Sequence, residues 1–97
     1  MRRIIWASTA SSEYDENIDY LLREWSENEA IIFINNVEAI LHNLKAGIVE
    51  YPLTDEENVR KCVVCKQITL FYQINEEDDI ELLSFWNTYQ DYKKRPF

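Results

Sequence analysis

The sequence predicts an α+β domain with the element order β-α-α-β-β-β. Three observations predict it. The chain opens on a short β-branched and aromatic run, continues with two consecutive stretches whose apolar residues recur at helical spacing, and ends with three further apolar runs joined by short polar links. At 97 residues there is room for one hydrophobic core, so residues 1–97 are expected to form a single domain. A hydrophobic content of 46% suffices for that core, and one Gly with two Pro argues against linkers or low-complexity tracts.

Arg3-Ile4-Ile5-Trp6-Ala7 reads as the first strand, and the polar run Ser8-Thr9-Ala10-Ser11-Ser12 that follows is suited to cap a helix. Tyr14, Ile18, Leu21, Leu22 and Trp25 then mark a helix from about Ser12 to Trp25, with Glu13, Asp15, Glu16 and Asp19 favoured near its positive end. Ser26-Glu27-Asn28-Glu29 has the form of a capping box, with a hydroxyl for one orphan N–H and a carboxylate three residues on. The second helix therefore starts at once, carries the stripe Ala30, Phe33, Ile34, Val37, Ile40, Leu41 and Leu44, and stops at Gly47. So short a join implies a helical hairpin.

Tyr51–Asn58, with its proline and charges, is expected to be the longest loop. Val59–Cys65, Ile68–Ile74 and Ile80–Trp86 follow as strands, separated by Lys66-Gln67 and by the polar turn Asn75–Asp79. Such links are too short for parallel crossovers, so these three strands form an antiparallel meander with the helices on one face. Link length leaves the place of the first strand in the sheet open. Trp6, Trp25, Phe33, Tyr72 and Leu82 are the expected core.

A formal charge of −8 disfavours general nucleic-acid binding, although Lys93-Lys94-Arg95 forms a local basic patch. Asp55-Glu56-Glu57 and Glu76-Glu77-Asp78-Asp79 read as solvated loops, and the Asp78-Asp79 turn needs no metal to explain it. No apolar run reaches the roughly 20 residues of a membrane span, and no signal peptide is apparent, so a soluble cytoplasmic protein is expected. Cys62 and Cys65, three apart in a strand, should point to opposite faces as plain thiols, and a lone Cys-x-x-Cys is weak support for zinc. His42 falls on a polar stretch of the second helix with no acid or nucleophile near it in sequence, and no phosphate-binding glycine loop is present, so neither metal nor cofactor is expected.

This order, together with Ile5-Trp6-Ala7-Ser8-Thr9-Ala10, Ile18-Asp19-Tyr20-Leu21-Leu22, Leu70-Phe71-Tyr72-Gln73-Ile74, Ile80-Glu81-Leu82-Leu83-Ser84-Phe85-Trp86 and the segment running on to Lys94, resembles the RelE/ParE superfamily of bacterial toxins. The resemblance covers almost the whole chain. It implies a toxin of a type II toxin–antitoxin module, held inactive in complex with a cognate antitoxin that lays a helix or strand over its surface. RelE-like members cut mRNA on the ribosome with basic and tyrosine side chains, whereas ParE-like members bind DNA gyrase. Here Thr69, Cys62 and Tyr89 stand where ribonuclease relatives commonly carry Arg, Lys and Arg, and a hydroxyl cannot supply a fixed positive charge. The resemblance thus leans to gyrase binding over RNA cleavage, with a non-toxic interaction module as a third reading. Arg60, Lys61, Lys66, Tyr89, Tyr92, Lys93, Lys94 and Arg95 are the candidate target-binding residues.

Overall fold

A computed structural model describes residues 2–89. Its elements are β1 (Ile4–Trp6), α1 (Ser8–Glu24), α2 (Glu27–Ala46), β2 (Val59–Cys65), β3 (Ile68–Ile74) and β4 (Ile80–Asn87). The β-α-α-β-β-β order is as expected. The four strands make one sheet in the order β1-β4-β3-β2, in which β2, β3 and β4 form the antiparallel meander and β1 pairs with β4 in parallel. The sheet is therefore mixed, because the two-helix connection from β1 to β2 is long enough for a crossover that leaves β1, β2 and β4 running the same way. Among the described residues, no helix is long and apolar enough to cross a membrane.

α1 begins four residues earlier than its polar run suggested. Ala7 explains this, since its N–H donates to the Leu82 carbonyl at 3.0 Å while its own carbonyl accepts from Ser11 N–H at 3.0 Å. The residue that ends strand pairing is also the first helical acceptor, so Ser8–Ser12 form the first turns and no side chain caps the end. At α2 the capping box works as read: the Ser26 hydroxyl accepts from Glu29 N–H at 3.1 Å. Gly47 ends α2 at φ 72°, a left-handed conformation that a side chain would strain.

Both helices lie on one side of the sheet. Leu21, Phe33, Val37 and Leu44 from the helices pack with Cys62, Val64, Ile68, Leu70, Tyr72, Ile80, Leu82 and Phe85 from the strands. Phe33, Tyr72 and Leu82 are core residues as expected, but Trp6 and Trp25 each keep 37% of their surface in solvent. Trp6 sits on the short edge strand, where Phe85 stacks on its ring at 5.6 Å and Tyr14 meets it edge-on at 5.3 Å, so only one side is covered. The alternation expected of Cys62 and Cys65 also fails. A register shift between Val63 and Cys65 lets Cys62, Val64 and Cys65 all pack toward the core cluster.

Two polar joints hold β4. At its start, Arg3 N–H donates to Asp79 Oδ1 at 3.1 Å, the Arg3 guanidinium reaches Oδ2 at 2.7 Å, and Ile80 N–H donates to the Arg3 carbonyl at 2.9 Å. Further along, beyond the end of β1, α1 takes over the strand edge. Glu13 Oε1 accepts from Phe85 N–H at 3.1 Å and from the Ser84 hydroxyl at 2.8 Å, while Asn17 Nδ2 donates to the Phe85 carbonyl at 2.9 Å. Asn17 Oδ1 accepts in turn from Asn87 Nδ2 at 3.0 Å. Two side chains one helical turn apart thus replace the missing strand partner of Phe85.

Asn17→Ala would take from the buried Phe85 carbonyl its side-chain donor and from the Asn87 amide one of its hydrogen bonds, and a loss of about 1–3 kcal/mol in denaturant unfolding is expected. Burial pushes the Glu13 carboxyl above the ordinary glutamate range. It therefore favours folding most below its unfolded pKa, and that contribution is lost as pH rises through the higher folded value. Glu13→Gln keeps the acceptor and removes the charge, so it should be well tolerated at neutral pH where Glu13→Ala is not. A Gln variant that melts as low as the Ala variant would contradict this joint.

Asp79 behaves in the opposite sense. The bonds from the Arg3 side chain and backbone hold its carboxyl below the ordinary value of about 3.8. Its contribution is present above that value and is lost as pH falls toward the lowered one. Asp79→Asn should accordingly flatten the acid limb of a stability-against-pH profile, and an unchanged limb would remove Asp79 as its source. Because the Arg3 side chain is largely exposed, added salt should weaken the effect.

Candidate functional site

The candidate residues on the strands are near one another in sequence and are dispersed by the fold. Arg60 pairs with Tyr72 and turns to the helix side, where its Nη1 donates to the Tyr51 carbonyl at 2.7 Å. It clamps the Tyr51–Thr54 segment, which also docks on β2 through Lys61 N–H to the Pro52 carbonyl at 3.0 Å and Thr54 N–H to the Val59 carbonyl at 2.7 Å. Tyr51 N–H donates to the Tyr72 hydroxyl at 3.1 Å, completing the attachment. Arg60 is thus engaged by the loop that covers the β2 edge. Lys61, one residue on, points to the opposite, helix-free face and is exposed.

Lys66 lies at the far end of β2, roughly 20 Å from Arg60 at the usual rise per strand residue. Its ammonium sits 4.4 Å from the centroid of the Trp25 ring and 4.0 Å from Glu29 Oε1. Tyr89 also meets Trp25, its ring 5.5 Å away and edge-on, while Trp25 Nε1 donates to the Tyr20 hydroxyl at 3.1 Å. The join between the helices, the β2–β3 turn and the end of β4 therefore converge on Trp25. Sequence reasoning assigned Trp25 to the core and so missed its part as the platform that gathers Lys66 and Tyr89. Its place directly before the capping box, where a chain must turn, was the available signal. Tyr92, Lys93, Lys94 and Arg95 lie outside the described residues.

Beside Lys66 is Gln67, whose side chain is fully buried and whose amide nitrogen and oxygen both lack a hydrogen-bond partner. Its backbone is well held, because Thr88 donates to the Gln67 carbonyl through N–H at 2.8 Å and through its hydroxyl at 3.1 Å. Lys66 and Gln67 form a two-residue hairpin link without a positive φ at either residue. Two-residue links of that kind splay their strands. The register shift at Val63/Cys65 lies immediately before the link, where it adds the twist that rejoins them.

Chemically, the helix-free face is spare in fixed charge. Thr69 lies there between Val63 of β2 and Trp86 of β4. Burial pushes the Cys62 and Cys65 thiols up, so neither is poised as a thiolate. His42 is exposed on α2. Among the described residues there is no group of His, Cys, Asp and Glu able to hold a metal ion, and no two of Arg60, Lys61 and Lys66 converge on one point.

A family model described as the ParE toxin of the type II toxin–antitoxin system parDE matches residues 4–92. No curated protein sequence matches the chain. Among solved structures, the chromosomal ParDE toxin–antitoxin system of P. aeruginosa is similar with a TM-score of 0.71 at 13% identity, over 90% of this chain and 96% of that one. The DinJ-YafQ toxin–antitoxin complex of E. coli gives 0.61 at 10% identity over 91% and 93%. The YoeB dimer of Staphylococcus aureus gives 0.57 at 11% identity over 87% and 93%. At such identities the structural likeness concerns the fold.

The unpaired Gln67 amide carries a cost that an apolar side chain of similar length would not. Gln67→Met is expected to raise unfolding stability by about 1–2 kcal/mol, read from the denaturant midpoint. An unchanged or lower midpoint would mean that the amide is satisfied in solution.

Proposed function

The chain belongs to the ParE toxin family of type II toxin–antitoxin systems, and from that premise we propose that it acts by binding a protein target, DNA gyrase, and not by cutting RNA. The observation that carries this reading is the dispersal of the strand cations. Cleavage of a ribose–phosphate chain needs positive charge aimed at the phosphate and a base and acid placed on either side of it. Arg60 is spent on the Tyr51 carbonyl, Lys66 on Trp25 and Glu29, and Thr69 brings no charge to the sheet face. The net charge of −8 adds a field that opposes a polyanion.

In this reading the target meets Lys61 and Tyr89, with Tyr92, Lys93, Lys94 and Arg95 supplying the rest of the contact. Arg60 and Lys66 act by holding the loop and the Trp25 cluster in place. A cognate antitoxin, produced with the chain, neutralises it. The family supplies the expectation of such a partner, and the ParDE and DinJ-YafQ neighbours are themselves toxin–antitoxin systems.

Inducible expression of the chain alone should arrest growth, raise DNA-damage signalling and, with purified protein, inhibit gyrase supercoiling. Co-expression of the small protein encoded beside it should relieve the arrest, and Tyr89→Ala should weaken it. Arrest accompanied by new mRNA ends in primer extension from ribosome-bound message would replace gyrase binding with RNA cleavage. Absence of arrest would leave an interaction module without toxicity.

A further inference from the structure

The end of β4 is fixed by side chains where its strand pairing stops. The last pair with β3 sets Ile68 opposite Asn87, and the next two residues are each captured separately. Thr88 is anchored on the Gln67 carbonyl, to which its N–H donates at 2.8 Å and its hydroxyl at 3.1 Å. Tyr89 N–H donates back to Asn87 Oδ1 at 2.9 Å, an Asx turn that closes the strand end. Asn87 is held in its turn from α1. Its Nδ2 donates to Asn17 Oδ1 at 3.0 Å, and Asn17 Nδ2 donates to the Phe85 carbonyl at 2.9 Å.

A backbone donor at one end of this relay and a backbone acceptor at the other leave each amide a single orientation, since an amide oxygen cannot donate and an amide nitrogen cannot accept. Asn17 and Asn87 are only 4% and 7% exposed, so water does not compete for these bonds. A pair of apolar side chains would fill the same space without the desolvation cost of two amides, but it would leave Tyr89 N–H uncaptured. What the polar pair adds is direction at the strand end. The residue so directed is Tyr89, whose ring lies edge-on to Trp25 at 5.5 Å and still keeps 54% of its surface exposed. An aromatic side chain held on one side and bare on the other loses little freedom when a partner covers it, which suits it to carry binding energy.

We propose that Asn87, oriented by Asn17, is a positioning residue: it sets the direction in which Tyr89 is presented on Trp25, and through Tyr89 the contact with a protein target. The identity of that target rests on the gyrase reading above, whereas the positioning does not. α1 thereby shapes the binding surface at the end of β4 from 70 positions away in the chain.

The ring contact is measured first, without any target, as the nuclear Overhauser effect between Tyr89 and Trp25 ring protons in the whole chain. It should be present in the parent, be lost in Asn87→Ala, and persist in Asn87→Asp, which keeps the acceptor for Tyr89 N–H while giving up the donor to Asn17. Gyrase affinity should then fall about tenfold in Asn87→Ala and stay within about threefold of the parent in Asn87→Asp, although both variants melt lower because each breaks the bond to Asn17. In a Tyr89→Ala background, Asn87→Ala should cost no further affinity, because the group it directs is gone. A Tyr89–Trp25 contact that survives in Asn87→Ala, affinity that follows melting temperature in both variants, or additive losses in the double variant would each overturn the proposal. Where Asn87→Ala is too unstable to measure, Asn87→Asp decides, and loss of the ring contact there overturns it. A parent that shows the ring contact and binds no gyrase strikes the choice of target instead, and the positioning is then decided by the ring contact alone.

Discussion

The backbone of Phe85 is where the helix layer and the sheet become one structure. β1 has three residues and leaves the outer edge of β4 uncovered from Leu83 onward, in the middle of the core. An open strand edge there would leave a buried N–H and a buried carbonyl without partners, each worth about 1–3 kcal/mol. Glu13 and Asn17 supply both bonds from one face of α1. That requirement fixes the rotation of α1 about its axis, and with it which side chains of α1 face α2. The position of Tyr14 against Phe33 and the exposure of the Leu22 flank both follow.

Signals that act within a few residues were legible in the sequence. The spans Val59–Cys65 and Ile68–Ile74, the Ser26 capping box and the Gly47 stop are local matters of side-chain pattern, hydroxyl placement and φ, and each appears where the residues put it. Features set by contacts distant in sequence were not legible. Ser8–Ser12 become helix because Ala7 is held by Leu82, 75 positions away, and no property of the polar run records that bond. Trp6 and Trp25 are large and apolar, but one lies on a three-residue edge strand and the other at a helix join, where too few neighbours exist to enclose an indole.

The dispersal of the candidate cations has a similar origin. Arg60 and Lys61 are adjacent, yet the pleat sends them to opposite faces, and five further residues of strand and turn carry Lys66 to the other end of the sheet. Once there, each side chain meets whatever the fold has brought: a carbonyl of the loop for Arg60, an indole and a carboxylate for Lys66. A list of basic residues in a sequence records charge, whereas a site requires charge that converges and is not already engaged.

Those engagements also decide which part of the surface sets the long-range field. Lys66, Arg3 and Arg23 each lie against a carboxylate, so at distances beyond a Debye length of about 8 Å they contribute little of their own. The helix layer is different, because Asp15, Asp19, Glu27 and Glu38 are exposed and form no ion pair among the described residues. The field of these helices is therefore negative, which repels an approaching polyanion and attracts cationic groups. The arrangement that spends basic groups on tying the strands and loops together thus leaves the exposed charge of the two helices predominantly negative.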